Sequence, residues 1–142
     1  MTSTLLRGLW AILALVAGCG ADRSIAPVSG TIRLDGEPLV GARINTQPIG
    51  GDDQRFPGVG SFAVTDGSGR YTLELVEPAR PGAVIGVHRV KIKHQKAVYR
   101  EDRPDAPTLL RSELPRVAGN GSLRLKIPAE GLDRADFDLV SD

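Results

Sequence analysis

Pro27-Val28-Ser29-Gly30-Thr31-Ile32-Arg33-Leu34-Asp35-Gly36-Glu37-Pro38-Leu39-Val40-Gly41-Ala42 is the stretch whose reading decides the fold. Val28, Ile32 and Leu34 fall on alternate positions, the period-two pattern of a strand with one buried side. Asp35-Gly36 then ends the run. That dipeptide favours a tight hairpin turn, and Gly36 can take the positive φ such a turn requires. Pro38 fixes the backbone entering the next segment.

The same pattern continues outward from this stretch. Ala42 to Thr46 is a second strand, and residues 48–60, with Pro48, Gly50, Gly51, Pro57, Gly58 and Gly60, form a loop. Ser61 to Thr65 is a third strand, expected to turn Phe62 and Val64 inward. Asp66-Gly67-Ser68-Gly69 is a turn in which Asp66 can accept backbone N–H bonds and Gly69 can adopt the left-handed conformation. Arg70 to Val76 follows with Tyr71, Leu73 and Leu75 inward. Val84 to His94 is read as the longest strand, with His88, Val90, Ile92 and His94 on one face and Arg89, Lys91 and Lys93 on the other. Residues 95–121 contain Pro104, Pro107, Pro115, Gly119 and Gly121, which predicts a long excursion with one helical turn near Leu109–Leu114. Ser122 to Ile127 and Asp136 to Val140 complete the set, with Asp136 and Asp138 expected to pair with Arg124 and Lys126 across a hairpin. Seven short strands without a long helix predict an all-β fold, a β-sandwich over residues 27–142.

Two motifs carry a resemblance. Pro27 to Ala42 resembles the opening of carboxypeptidase regulatory-like domains, also called transthyretin-like or prealbumin-like. Thr65-Asp66-Gly67-Ser68-Gly69-Arg70-Tyr71-Thr72-Leu73 resembles their second motif, and Gly86 to Lys93 a later strand in which His88 replaces the usual aromatic. The resemblance implies a seven-stranded Greek-key sandwich and implies no activity. In metallocarboxypeptidases such a domain sits beside a catalytic domain.

The amino terminus carries a different signal. Leu9 to Ala17 is an uncharged apolar run of nine residues. At about 1.5 Å per residue it covers about 14 Å, half a bilayer core, which suits the core of a signal peptide better than a spanning helix. Val16-Ala17-Gly18-Cys19 resembles the bacterial lipobox. The resemblance implies cleavage after residue 18, acylation of Cys19 (by palmitate or a similar chain), and a lipidated tether over residues 19–26. Each buried methylene contributes about 0.8 kcal/mol, so two or three chains hold firmly. Gly20 stands where an aspartate would resemble an inner-membrane retention signal, which leaves the cell membrane or the outer membrane, facing periplasm or exterior. The whole plan looks like the small lipoproteins of planctomycete-type bacteria.

Composition bounds the function. The chain has 18 basic and 17 acidic side chains among 142 residues. Arg7 is the only charge in the expected signal, so the remainder is balanced, which argues against a nucleic-acid partner. Cys19 is the one cysteine, so stability must come from the core.

A zinc centre needs three protein ligands, and the two histidines, His88 and His94, lie about 20 Å apart along one strand. Asp66-Gly67-Ser68-Gly69 lacks the further ligands of a calcium loop. No serine sits in a nucleophile elbow. No cofactor or metal is expected. Asp52 and Asp53, in a Gly-rich loop, are either part of a solvated loop or a cation or ligand contact. Arg89, Lys91, Lys93 and Lys96 form a basic stripe, either a solvated strand face or a contact for anionic lipid headgroups or acidic glycans. The expectation is a membrane-anchored, non-enzymatic interaction or structural module at the cell envelope, touching lipid through Cys19 and an envelope protein or glycan by its surface. The alternatives are a carbohydrate- or small-ligand-binding module, for which only Phe56 and Tyr99 offer stacking surfaces in expected loops, and a hydrolase.

Overall fold

The computed structural model describes residues 24–53, 55–111 and 114–142. The expected signal peptide and Cys19 lie outside the described residues. The strands are β1 (Ile25–Ala26), β2 (Ser29–Leu34), β3 (Glu37–Pro38), β4 (Arg43–Pro48), β5 (Ser61–Val64), β6 (Arg70–Thr72), β7 (Glu74–Leu75), β8 (Ala83–Val84), β9 (Gly86–Lys93), β10 (Gln95–Arg100), β11 (Arg103–Arg111), β12 (Leu123–Ile127) and β13 (Phe137–Leu139). A single turn of helix, α1 (Arg116–Gly119), precedes β12.

The fold is all-β and sandwich-like. One sheet runs β12-β9-β4-β5-β7. A second is built on β2, which pairs with β3, β6 and, in parallel, β13. Their apolar faces meet in one core that includes Val28, Ile32, Ile44, Leu73, Val90, Ile92, Ile127 and Leu139.

The turns form as their residues dictate. Asp35 and Gly36 both have positive φ, 51° and 85°, the signature of a type I′ hairpin turn, and Leu34 pairs with Glu37 across it. Asp35 is then held from outside: its carboxylate accepts the Ser141 backbone N–H at 3.0 Å and the Ser141 hydroxyl at 2.9 Å. At the second turn Asp66 Oδ1 accepts the N–H groups of Ser68 (2.9 Å) and Arg70 (3.0 Å) and the Ser68 hydroxyl (3.0 Å). The two backbone donors, chiefly, hold its carboxyl below the usual range. Gly69 has φ 74°, and a Cβ there would sit 2.7 Å from the Ile32 carbonyl oxygen. The turn is therefore docked on β2.

The second sheet is locked to the chain's end around Gly30. A Cβ on Gly30 would strike the Ala135 carbonyl oxygen, so only glycine lets these backbones touch. The buried Tyr71 hydroxyl donates to that same carbonyl. Burial, with Asp136 nearby, pushes the phenol well above its ordinary range.

Four expectations need correction. Phe62 and Val64 face outward, and Ser61 and Ala63 face in. The cause is Thr65: its buried hydroxyl accepts the Ala42 N–H at 2.8 Å and donates to the Leu39 carbonyl, which fixes the parity of the strand before it. Ser61 follows suit, donating to the Gly82 carbonyl at 3.2 Å. Next, Asp136 and Asp138 do not meet Arg124 and Lys126. β13 joins β2 in one sheet and β12 joins β9 in the other. Asp136 instead accepts the Thr31 N–H at 2.8 Å, and Asp138 lies 3.6 Å from Arg33. Thirdly, the excursion after His94 is mostly a hairpin, β10 with β11. Residues 109–111 belong to its second strand, and the helical turn comes later, at Arg116–Gly119. Finally, Ile25 and Ala26, expected in the tether, pair with β8 because Ala26 is a core residue at 1% exposure.

Candidate functional site

β9 divides into two faces as expected. His88, Val90 and Ile92 are buried, while Arg89, Lys91 and Lys93 are exposed. The sheet order then adds what the strand alone could not. β12 places Arg124 directly opposite Arg89 and Lys126 opposite Val87. β4 places Arg43 opposite Lys93, with Asn45 and Gln47 opposite Lys91 and Arg89. Six exposed cations from three adjacent strands therefore share one face. At about 3.3 Å per residue and 4.8 Å between strands, they occupy a patch of roughly 20 × 10 Å.

No ion pair among the described residues neutralises them. Among the described residues the ion pairs join Arg33 to Asp138 and Arg100 to Asp102, both elsewhere. The acidic strand residue on the same face is Glu74, two strands from β4 at the β7 edge. Arg89 against Arg124 and Arg43 against Lys93 are like charges in directly opposed positions, which costs stability rather than adding it.

The long side chains are nonetheless positioned. Gly121, with φ 79°, lies on the stems of Arg89 and Lys91: a Cβ there would come within 3.0 Å of Arg89 Cδ and of Lys91 Cε. Arg124 folds back to donate to the Gly121 carbonyl at 2.6 Å and to its neighbour's, Leu123, at 3.1 Å. Arg43 lies 4.8 Å over the Phe62 ring, so the outward turn of Phe62 supplies a cation–π support. The stems of Arg89 and Lys91 are packed on Gly121, while the guanidinium groups of Arg124 and Arg43 are held by backbone carbonyls and by the Phe62 ring.

The other expected candidates disperse. Asp52 and Asp53 stand exposed in a turn of the loop after β4. Lys96 belongs to β10, not to the sheet. Phe56, in that loop, and Tyr99, on β10, are 78% and 66% exposed on separate elements. Asp66 spends its carboxylate on its own turn. Among the described residues no three His, Cys, Asp or Glu side chains converge as metal ligands. A cleft of about 470 Å³ opens at the far end of β9, beside Lys93, His94, Gln95, Arg116 and Asn120. His94 there bonds the Val40 carbonyl oxygen at 2.9 Å.

His88 is a core residue. It is fully buried, and its Nε2 lies 2.6 Å from the Val84 carbonyl oxygen. That contact requires the Nε2–H tautomer and leaves Nδ1 as an acceptor with no partner among the described residues. Desolvation lowers the pKa below the ordinary imidazole value, with the Val84 bond opposing it. The side chain is neutral at pH 7 and ties β9 back to β8.

Arg43, Arg124 and Lys126 were not read as part of the stripe. The available signal was that Arg124 and Lys126 also alternate as outward cations. Which strands neighbour β9 was not legible.

No family model and no curated protein matches the chain. Among solved structures, a 9R-lipoxygenase from Cyanothece aligns with 82% of this chain at 11% identity and a TM-score of 0.36. The chain spans 16% of that structure's length.

Proposed function

We propose that this chain is a lipid-anchored, non-enzymatic envelope protein, in which Cys19 carries the anchor and a β-domain presents a basic sheet face to an anionic partner. The observation that carries the anchor is Val16-Ala17-Gly18-Cys19, with the chain's one thiol directly behind an apolar run. The finer assignment, a seven-stranded Greek-key domain of the carboxypeptidase regulatory-like kind, belongs to the same proposal. It is supported by the two motif turns, Asp35-Gly36 and Asp66 to Gly69, whose residues are accounted for by folding.

The test is metabolic labelling with a tagged fatty acid, followed by detergent partitioning. Wild type should take up label and enter the detergent phase, and Cys19→Ser should do neither. Equal partitioning of wild type and variant would sink the anchor.

A further inference from the structure

We infer that the outward face of the β12-β9-β4 strands docks flat on an anionic phospholipid surface, the same membrane that the proposed anchor would enter; this rests on the reading of Cys19 as lipidated. Three observations converge on it.

The first is the charge arrangement. The chain as a whole is nearly neutral, yet Arg43, Arg89, Lys91, Lys93, Arg124 and Lys126 share one sheet face with no acidic side chain opposite any of them. Like-charged residues are kept in opposed positions, which folding alone does not call for.

The second is shape. The cations stand on a sheet, spread over roughly 20 × 10 Å, and among the described residues the cleft beside Lys93 opens at the end of this array, not between its members. A pocket would select a small anion, and a row of exposed aromatics would select a sugar by stacking. Here Phe62, the one aromatic on the face among the described residues, lies beneath Arg43. Val87 and Val64, both about half exposed, lie on the same face at its rim. A planar array of cations with apolar residues beside it complements a bilayer surface, where headgroup charge lies over hydrocarbon.

The third is where the chain leads. The Ser24 carbonyl accepts the Ile85 N–H at 3.0 Å, immediately before Gly86 opens β9, and Gly86 pairs with Ile127 of β12. The chain therefore enters at the end of the basic face that carries Val87 and Lys126. Cys19 is five residues earlier, so it lies at most about 18 Å from that point along an extended chain. An anchor on so short a lead lets the face reach the leaflet; at full extension the lead exceeds the Debye length of about 8 Å in physiological salt, so contact has to be made by the face itself and should be salt-sensitive.

The test uses the full chain as cells produce it, purified in detergent. It is offered simultaneously to neutral phosphatidylcholine vesicles and to vesicles containing one third phosphatidylglycerol, the two populations being separated by flotation. Wild type should favour the anionic vesicles by at least about tenfold in low salt and lose that preference as salt is raised. Each cation near an anionic leaflet contributes about fivefold, so Arg89→Gln/Lys91→Gln/Lys93→Gln should reduce the ratio at least about tenfold. Association with neutral vesicles should not change. Equal distribution of wild type would overturn the inference, and so would a preference that the triple variant retains. A chain that ignores both vesicles' charge but binds a soluble acidic polysaccharide through these residues would overturn it in favour of a glycan. Failure of the anchor reads differently: the chain would then leave neutral vesicles unbound while keeping its anionic preference.

Discussion

The two faces of the five-stranded sheet are built from the same strands and obey opposite rules. On the inner face Ile44, Val90, Ile92 and Ile127 are all but fully buried, and the one polar ring among them, His88, is tied to a carbonyl. These residues are accounted for by packing and, for His88, by its bond to the Val84 carbonyl. On the outer face, cations oppose cations, and among the described residues no ion pair relieves them. What the contrast teaches is that residues costing stability in the fold are the ones to examine for function.

Core substitution should break the inner face most. Ile92→Ala deletes buried methyl groups and should lower unfolding free energy by about 2–5 kcal/mol, read from the urea midpoint. Lys91→Gln, one residue away and facing out, should shift it by no more than about 0.5 kcal/mol. If the two changes cost the same, the faces are not distinct in the way described.

Gly30→Ala tests the closure of the second sheet. The added Cβ would strike backbone, the Ala135 carbonyl, and should cost about 1–3 kcal/mol as β2 and the 135 region separate. Tyr71→Phe should cost about 1 kcal/mol by removing the donor to the same carbonyl.

Acidification should reach the inner face through His88. Its folded pKa lies below the unfolded value of 6.5, so the unfolded chain binds the proton first. The contribution of His88 is complete above about pH 6.5 and declines as pH falls from there toward the folded pKa. Denaturant midpoints measured from pH 8 to 5 should fall on the acid side, and His88→Leu should show a smaller fall. A midpoint that rises below pH 6.5 would mean that His88 gains a partner on protonation.

The smallest effect should come from the outer face. Arg89→Gln removes one half of the opposed Arg89–Arg124 pair and should raise stability by a few tenths of a kcal/mol in low salt, the gain shrinking as salt is added. A clear loss would show that Arg89 contributes to folding through its stem on Gly121.

Local turn chemistry was legible in the sequence because it depends on neighbouring residues. Asp35-Gly36 and Asp66 to Gly69 adopt the turns their side chains favour, and the β9 parity follows from alternation alone. Phe62 and Val64 were misread because hydrophobicity was allowed to set the parity, whereas Thr65 sets it by two hydrogen bonds to residues more than 20 positions away. The β10–β11 hairpin was missed because, over residues 95–100 and 103–108, its strands are almost entirely exposed, so no buried face imposes a period there. The candidate site was half legible. Arg89, Lys91 and Lys93 alternate visibly, but Arg43 and Arg124 join them only through sheet order, a long-range property. Assigning Asp136 and Asp138 to Arg124 and Lys126 concealed the excess charge, and the structure sends those carboxylates to the other sheet.

The most direct test of the contrast between the faces measures stability and membrane preference on one variant, Arg89→Gln/Lys91→Gln/Lys93→Gln. The urea midpoint should stay the same or rise slightly while the preference for anionic over neutral vesicles falls at least about tenfold. A variant that unfolds more readily yet keeps its anionic preference would contradict the assignment of this face to binding rather than to folding.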